Sequence, residues 1–188
     1  CSSDLLGGSA LGAITLGLKG LDFVGTVTTG VGNDVLSIYS AVRNNSGSYT
    51  LATGAGTDSL TVSIAQPFSW NAGASYDSLK IVGDLDLSSN TISLTSVDEI
   101  QLDAGTSGAS KTVTINPTTF ASHNVFNLRG NSAGADVLIV QGLDASETIN
   151  ANQVAVDPNY AALKLVGGDG KDTVVLTNTT FGTGTYNN

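Results

Sequence analysis

Aspartate is the residue type in this chain with the clearest capacity for chemistry. Of the sixteen acidic residues, only Glu99 and Glu147 are glutamate, and the seven basic residues leave a net charge of −9. Short carboxylates are frequent oxygen ligands of Ca²⁺, and they are equally common in tight turns that bind no ion. The surroundings of each aspartate therefore decide whether it is a candidate metal ligand.

Several aspartates come at the end of a glycine-rich segment. The fullest of these segments is Gly167-Gly168-Asp169-Gly170-Lys171-Asp172, which continues into Thr173-Val174-Val175. Two related segments begin with threonine, and two weaker ones are shorter. They are Thr29-Gly30-Val31-Gly32-Asn33-Asp34, Thr53-Gly54-Ala55-Gly56-Thr57-Asp58, Gly73-Ala74-Ser75-Tyr76-Asp77 and Gly134-Ala135-Asp136. Glycine permits positive φ and lets carbonyl groups converge, so these segments are predicted to be tight turns.

The segment from Gly167 matches the nonapeptide G-G-x-G-x-D-x-U-x at every position, and it resembles the RTX, or haemolysin-type, calcium-binding repeat. The resemblance implies that backbone carbonyls and the Asp carboxylate hold Ca²⁺, and that the apolar residue enters a strand of a parallel β-roll or helix. The RTX repeats follow one another directly, whereas these turns are roughly 20 residues apart, which predicts isolated ions. The implied ligand positions are Gly167, Gly168, Asp169, Gly170, Asp172, Gly30, Gly32, Asn33, Asp34, Gly54, Gly56, Asp58, Asp77 and Asp136.

The elements that carry these turns form a repeat. An aspartate precedes an apolar alternation at positions 34, 58, 77, 98, 136 and 172, with spacings of 24, 19, 21, 38 and 36 residues. The last two spacings are interpreted as doubled steps, and the strand-like runs 113–115 and 154–156 lie near the skipped positions. A period near 20 with two or three short strands is typical of a β-solenoid.

Composition also favours an all-β fold. Only 12% of the residues are charged and 23 are glycine, while helix-forming surface residues are scarce. A β-sandwich is the alternative architecture, but a sandwich has no reason to repeat one turn before each strand. We predict a single domain, in which residues 1–28 form an N-terminal cap or assembly arm and residues 29–188 form the solenoid.

Composition argues against several classes of function. No basic patch is present to neutralise phosphates, so neither nucleic acid nor anionic lipid is an expected partner. The seven basic residues and the single histidine, His123, are spread along the chain without clustering. A polysaccharide lyase needs a base and clustered cations, so we expect no enzyme activity. A non-catalytic calcium-binding module of a secreted polysaccharide-modifying enzyme is an open alternative.

The sequence favours a secreted protein at a bacterial surface. It contains no methionine, which indicates a processed protein or a fragment, and a single cysteine excludes an internal disulfide. The start Cys1-Ser2-Ser3-Asp4 resembles a mature bacterial lipoprotein, so membrane attachment is expected only if Cys1 is lipidated. The alternative is that Cys1 was exposed by fragmentation or cloning.

The function that these features favour is a structural one. We expect a calcium-dependent, self-assembling component of a bacterial surface layer or filament, whose partner is a second copy of the chain. The low charge and the Asp/Gly turns are diffusely similar to surface-layer proteins and RTX adhesins. An adhesin that binds a cell-surface polysaccharide is the alternative, with Trp70 as its sugar-stacking residue. Asp84 and Asp86 are a weaker ion-binding candidate.

Overall fold

The computed structural model describes residues 3–6, 12–20, 24–41, 47–103, 109–120, 126–131, 136–143, 145–151, 154–157, 160–175 and 186–187. The elements in the first half are β1 (Ser3–Leu6), β2 (Thr15–Gly20), β3 (Val24–Thr28), β4 (Val35–Ala41), β5 (Ser48–Ala52), β6 (Ser59–Val62), β7 (Phe68–Asn71), β8 (Ser78–Val82), β9 (Leu85–Asp86) and β10 (Ile92–Thr95). They are followed by β11 (Glu99–Asp103), β12 (Thr112–Ile115), a 3-10 turn (Pro117–Phe120), β13 (Phe126–Arg129), β14 (Asp136–Gln141), β15 (Thr148–Asn150), β16 (Val154–Val156), β17 (Ala161–Val166), β18 (Thr173–Val175) and β19 (Tyr186–Asn187).

The strands form three long sheets and one short one. Sheet A has the order β1-β3-β5-β7-β10, sheet B the order β16-β13-β11-β8-β6-β4-β2, and sheet C the order β19-β17-β14-β12-β9. Strands β15 and β18 pair with each other. Every pairing between described strands is parallel, and each strand pairs with its counterpart one circuit of the chain, or coil, later. The predicted β-solenoid is confirmed, and the β-sandwich is excluded because sandwich sheets are antiparallel.

The core consists of apolar side chains stacked from coil to coil. In β6 and β8 every second residue is buried, so the alternating sequence places one face of each strand inside. Leu36, Leu60 and Leu79 occupy the same register position on successive strands of sheet B, and each is at most 1% exposed. A buried side chain of this size contributes about 1.5–3 kcal/mol. The leucine two residues after each aspartate is therefore the unit that holds the coils together.

The coils differ in length along the chain. On sheet B, Ser59 pairs with Ser78 after 19 residues, whereas Glu99 pairs with Asn127 after 28. The shorter coil contains β6 and β7, and the longer one contains β11, β12 of sheet C and the 3-10 turn. The interpretation of the 38-residue spacing as two 19-residue coils is therefore wrong. The 38-residue spacing runs from the start of β11 in sheet B to the start of β14 in sheet C, and β14 lies in the next coil.

Strand pairing extends into the N-terminal residues. Strands β1, β2 and β3 pair in parallel with β3, β4 and β5. Residues 1–28 therefore contribute strands to sheets A and B, and a capping or assembly role for them stays a prediction. The described part of the chain contains no helix with the length and apolar character needed to cross a membrane.

Candidate metal centre: the acidic turns

The glycine turns that precede sheet B stack on one another through their backbones. Gly54 has a φ of +90°, and a Cβ at this position would lie 1.9 Å from the carbonyl oxygen of Gly30. The N–H of Ala55 donates to that same oxygen at 3.0 Å, and the N–H of Ala74 donates to the Gly54 carbonyl at 2.8 Å. Glycine is thus required by the close approach of successive turns, and the carbonyls of Gly30 and Gly54 bond to the next coil.

The aspartates at the ends of these turns form a ladder along the solenoid. Oδ1 of Asp34 accepts a hydrogen bond from the N–H of Ile14 at 2.7 Å. The N–H of Asp34 donates to Oδ1 of Asp58 at 2.7 Å, that of Asp58 to Oδ1 of Asp77 at 2.7 Å, and that of Asp77 to Oδ2 of Asp98 at 2.8 Å. In this aspartate ladder (Asp34, Asp58, Asp77 and Asp98), each carboxylate bonds to the backbone of the preceding coil.

The second carboxylate oxygens of the ladder differ in their surroundings. Oδ2 of Asp34 accepts a hydrogen bond from the hydroxyl of Thr29 at 2.5 Å. Oδ2 of Asp58 and Oδ2 of Asp77 are buried and have no hydrogen-bond partner among the described residues. A buried polar atom without a partner costs about 1–3 kcal/mol, and more when the group is charged. These two oxygens are therefore the atoms of the ladder that a further donor or a cation would satisfy.

The missing partners have a local cause. The hydroxyl of Thr53, in the position of Thr29, donates to the carbonyl of Ala72 at 2.9 Å and accepts from Nε1 of Trp70 at 3.2 Å, so it does not reach Asp58. One coil later the equivalent residue is Ala72, which has no hydroxyl. Trp70 is itself only 1% exposed, so its ring belongs to the core and cannot stack on a sugar at the surface.

The electrostatic strain of the ladder is greatest at Asp77. The pKa of its carboxyl is raised from 3.8 to about 6, chiefly by burial; the hydrogen bond from the Asp58 N–H lowers it, and the charges of Asp58 and Asp98 also raise it. Removing a carboxylate from water disfavours its charged form, and a cation beside it would reverse that effect. The Asp77 carboxyl is therefore a group that either retains a proton or gains from a bound cation.

A similar arrangement recurs in sheet C at Asp136. This residue is 1% exposed, and its two oxygens accept hydrogen bonds from the N–H groups of Lys111 and Asn131, both at 2.7 Å. Asn33 makes a related contact in an exposed turn, where its Oδ1 accepts from the N–H of Thr57 at 2.9 Å. Asp136 is fully satisfied by backbone donors, so no oxygen of this carboxylate is left in need of a cation.

The turn with the complete motif has its own acidic pair. Asp172 accepts hydrogen bonds from the N–H of Gly168, within its own turn, and from the N–H of Glu147, one coil earlier, each at 3.2 Å. Glu147 repeats the first contact by accepting from the N–H of Leu143 at 3.0 Å. Its other oxygen, Oε1, is buried and has no hydrogen-bond partner among the described residues. Glu147 and Asp172 therefore stack as a second acidic site, while Asp169 of the same turn is exposed.

Two of these acidic residues were not among the predicted ligands. Asp98 belongs to the ladder, although its turn has no glycine, and Glu147 is the counterpart of Asp172 one coil earlier. The signal for Glu147 was present, because the segment Gly142-Leu143-Asp144-Ala145-Ser146-Glu147 precedes the complete motif by 25 residues. The structure thus brings Asp34, Asp58 and Asp77 together in one ladder, and places Asp136 and Asp172 in two separate turns.

The donor atoms fit Ca²⁺ in type but do not form a ready-made cage. Carboxylate oxygens are what Ca²⁺ takes, and Asp58, Asp77 and Glu147 each hold a buried oxygen without a partner. Among the described residues, no three acidic, histidine or cysteine side chains are grouped closely enough to hold a metal ion. Backbone carbonyls and water would have to complete the six to eight ligands that calcium takes.

The remaining candidates have ordinary roles or lie elsewhere. Asp84 accepts from the N–H of Thr112 at 2.8 Å and pairs with Nζ of Lys111 at 3.4 Å, and Asp86 accepts from the N–H of Ser88 at 3.0 Å. These contacts hold the pKa of both carboxyls below its usual value. Cys1 and His123 lie outside the described residues.

Comparisons with protein-family models, curated proteins and solved structures found no match to this chain. The resemblance to the RTX repeat therefore rests on the sequence motif alone and stays a prediction.

Proposed function

We propose that this chain is a structural, self-assembling component of a bacterial cell surface, and that calcium binding to its acidic turns promotes the assembly. The partner in this proposal is a second copy of the chain. The observation that carries it is the outer face of sheet A, which bears no charged side chain on β3, β5, β7 or β10 in a protein with a net charge of −9.

The outer face of sheet A is built from short hydroxylated side chains in register. Thr26, Thr50, Ser69 and Ser93 occupy one row across the four strands. Parallel strands lie about 4.8 Å apart, so the row presents regularly spaced hydroxyl groups. These groups can donate and accept hydrogen bonds across a contact. The register places Asp4 of β1 at the end of this row, beside Thr26, so it is through β3, β5, β7 and β10 that two copies can approach without bringing like charges together.

Bound calcium would act in two ways: it would reduce the net negative charge of the chain and make the acidic turns more rigid. A net charge of −9 opposes association of any two copies, and bound divalent cations neutralise part of it. The partnerless oxygens of Asp58, Asp77 and Glu147 are the atoms that we expect to approach the ion. An ion at the ladder would also hold successive coils together, because Asp58 and Asp77 each already accept a hydrogen bond from the backbone of the preceding coil.

The test is a calcium titration followed by light scattering and electron microscopy. We expect ordered assemblies to grow with calcium, and Thr50→Glu, on one of the four strands without charged side chains, to abolish them without changing the melting temperature by more than a few degrees. Thr61→Glu places the same charge on the outer face of sheet B, beside Lys80, and is the control that should assemble normally. A monodisperse monomer at millimolar calcium, or equal loss of assembly in both variants, would contradict the proposal.

The calcium part is tested separately by thermal unfolding. An ion that binds only the folded chain stabilises it by about 2.7 kcal/mol at a hundredfold excess over its Kd, so calcium should raise the melting temperature. Asp172→Asn should reduce that rise more than Asp84→Asn, because Asp172 lies in the complete motif and Asp84 is paired with Lys111. Identical melting with calcium and with chelator would show that the acidic turns bind no calcium.

A further inference from the structure

A polar groove crosses the outer face of sheet B near its C-terminal end. Its volume is about 330 Å³, and its lining includes Tyr76, Glu99, Asn127, Arg129 and Asp157. The groove lies far along the sheet from β2, and none of the sheet A residues discussed above contributes to it. A ligand site in this groove would be additional to the proposed assembly function and does not depend on it.

The groove exists because one row of outward-facing side chains ends in a short side chain on β16. Glu99, Asn127 and Ala155 occupy equivalent positions on β11, β13 and β16, and Arg129 stands in the adjacent row of β13. The methyl group of Ala155 leaves open space where its neighbours carry longer side chains. Asp157, directly after β16, donates its N–H to the Leu128 carbonyl at 2.9 Å and closes the far wall.

The polar groups in the groove are held in place by one another. Oε2 of Glu99 accepts a hydrogen bond from the hydroxyl of Tyr76 at 3.0 Å and pairs with Nη1 of Arg129 at 3.3 Å. Glu99 is a buried carboxylate whose side chain is only 9% exposed, whereas that of Arg129 is 57% exposed. Burial and the contact with Glu99 raise the pKa of Tyr76, so its hydroxyl stays a neutral donor. This fixed network presents a carboxylate, an amide and a guanidinium side by side.

We propose that this groove binds a neutral pyranose unit of a polysaccharide through two adjacent hydroxyl groups. Both hydrogen bonds of Glu99 use Oε2, so Oε1 can accept from one sugar hydroxyl, while the exposed guanidinium N–H groups of Arg129 donate to the next. The ring of Tyr76, which is 48% exposed, covers the apolar face of the sugar. Glu99 and Asp157 outweigh the single positive charge of Arg129, which disfavours an anionic sugar.

The test uses amide NMR of the full chain with four simple sugars: glucose, galactose, mannose and N-acetylglucosamine. A single pyranose in an open groove is expected to bind weakly, with a Kd of about 1–100 mM, so each sugar is taken to about 100 mM. At least one of the four should shift the amide signals of Tyr76, Glu99, Asn127 and Arg129 in a saturable way. Absence of such shifts with all four sugars would overturn the proposal.

Matched variants identify the groups that bind. Glu99→Gln keeps the size of the side chain and should weaken binding at least about tenfold, because charged acceptors make the stronger hydrogen bonds. Tyr76→Ala should abolish binding, whereas Tyr39→Ala removes an exposed tyrosine of the same sheet outside the groove and should leave it unchanged. Glucuronate should bind less tightly than glucose at neutral pH. Equal effects of the two tyrosine variants, or tighter binding of glucuronate, would contradict the assignment.

Discussion

At the scale of single residues, the informative feature is whether the second oxygen of each buried carboxylate has a hydrogen-bond donor. Asp34 and Asp58 stand at equivalent positions of the ladder, yet only Asp34 has a hydroxyl donor for its second oxygen among the described residues. The difference depends on whether a threonine of the same turn is free to donate. Sequence predicts the aspartates and their turns, but it cannot predict that the Thr53 hydroxyl is diverted to Trp70 and Ala72, since these lie on another part of the neighbouring coil.

The raised pKa of Asp77 predicts a dependence of stability on pH. A carboxyl whose pKa is raised from 3.8 to about 6 by folding binds its proton more tightly in the folded chain than in the unfolded chain. Its contribution to the free energy of unfolding is therefore complete below pH 3.8 and is lost as the pH rises through about 6. Asp77→Asn should remove this dependence and stabilise the protein by about 1 kcal/mol at pH 7, measured by denaturant unfolding in the presence of chelator.

The control for this substitution is Asp136→Asn. Both oxygens of Asp136 accept hydrogen bonds from backbone N–H groups, so an amide would place an N–H₂ group against a donor. It should destabilise the protein by about 1–3 kcal/mol at neutral pH. If the two asparagine variants lost stability to the same degree, the second oxygen of Asp77 would have a partner after all.

At the scale of the elements, the tight turns derive their shape from contact between coils as well as from backbone preference. Gly54 and Gly83 both have positive φ, of +90° and +88°, but only Gly54 has a neighbouring backbone where a Cβ would be. Around Gly83, no atom of the described residues lies within 4 Å of that position, its chain neighbours apart. Substitutions at the two glycines therefore distinguish the free-energy cost of backbone strain from the cost of a clash between successive turns.

Alanine substitutions should reveal that difference. Gly83→Ala is expected to cost about 1–2 kcal/mol, which is the strain of a left-handed alanine. Gly54→Ala should cost at least about 3 kcal/mol, because it adds a clash with the Gly30 carbonyl and weakens the bond from Ala55. Equal losses in denaturant unfolding would mean that the turns are not in close contact.

The strands themselves were predictable to different degrees. The alternation after Asp34, Asp58 and Asp77 predicted β4, β6 and β8, because each pattern of buried leucines is local to its strand. Sheet C was not predicted, since β9 consists of Leu85 and Asp86 alone and its sequence is equally typical of a turn. The pairing of Glu147 with Asp172 was missed for a similar reason, because a glutamate in a turn with few glycines departs from the repeat.

At the scale of the whole molecule, the sequence predicted the architecture more securely than the function. A sandwich has no reason to repeat one turn, so the recurring aspartate turns favoured the solenoid over the sandwich. The surface without charged side chains on β3, β5, β7 and β10 could not be predicted from the sequence, because it depends on the register of these strands, which are separated by 19 or 24 residues.

The balance between net charge and calcium predicts a difference between salts. Sodium chloride screens the repulsion between copies that each carry a charge of −9, but it supplies no ligand for a carboxylate oxygen without a partner. At equal ionic strength, calcium chloride should therefore produce assemblies at protein concentrations where sodium chloride leaves the chain monomeric. Light scattering compares the two salts directly, and equal assembly in both would reduce the role of calcium to screening.

Sheet C begins where sheet A ends, because the consecutive strands β9 and β10 are the edge strands of these two sheets in the described chain. The coils before β9 therefore place their strands in sheets A and B, whereas the coils after β10 place theirs in sheets B and C and in the short β15–β18 pair. Sheet B alone runs through both groups of coils. A contact through the outer face of sheet A therefore engages the first coils of each copy and leaves the outer face of sheet C uncovered. Assemblies that form through sheet A are thus expected to present sheet C of every copy at their surface.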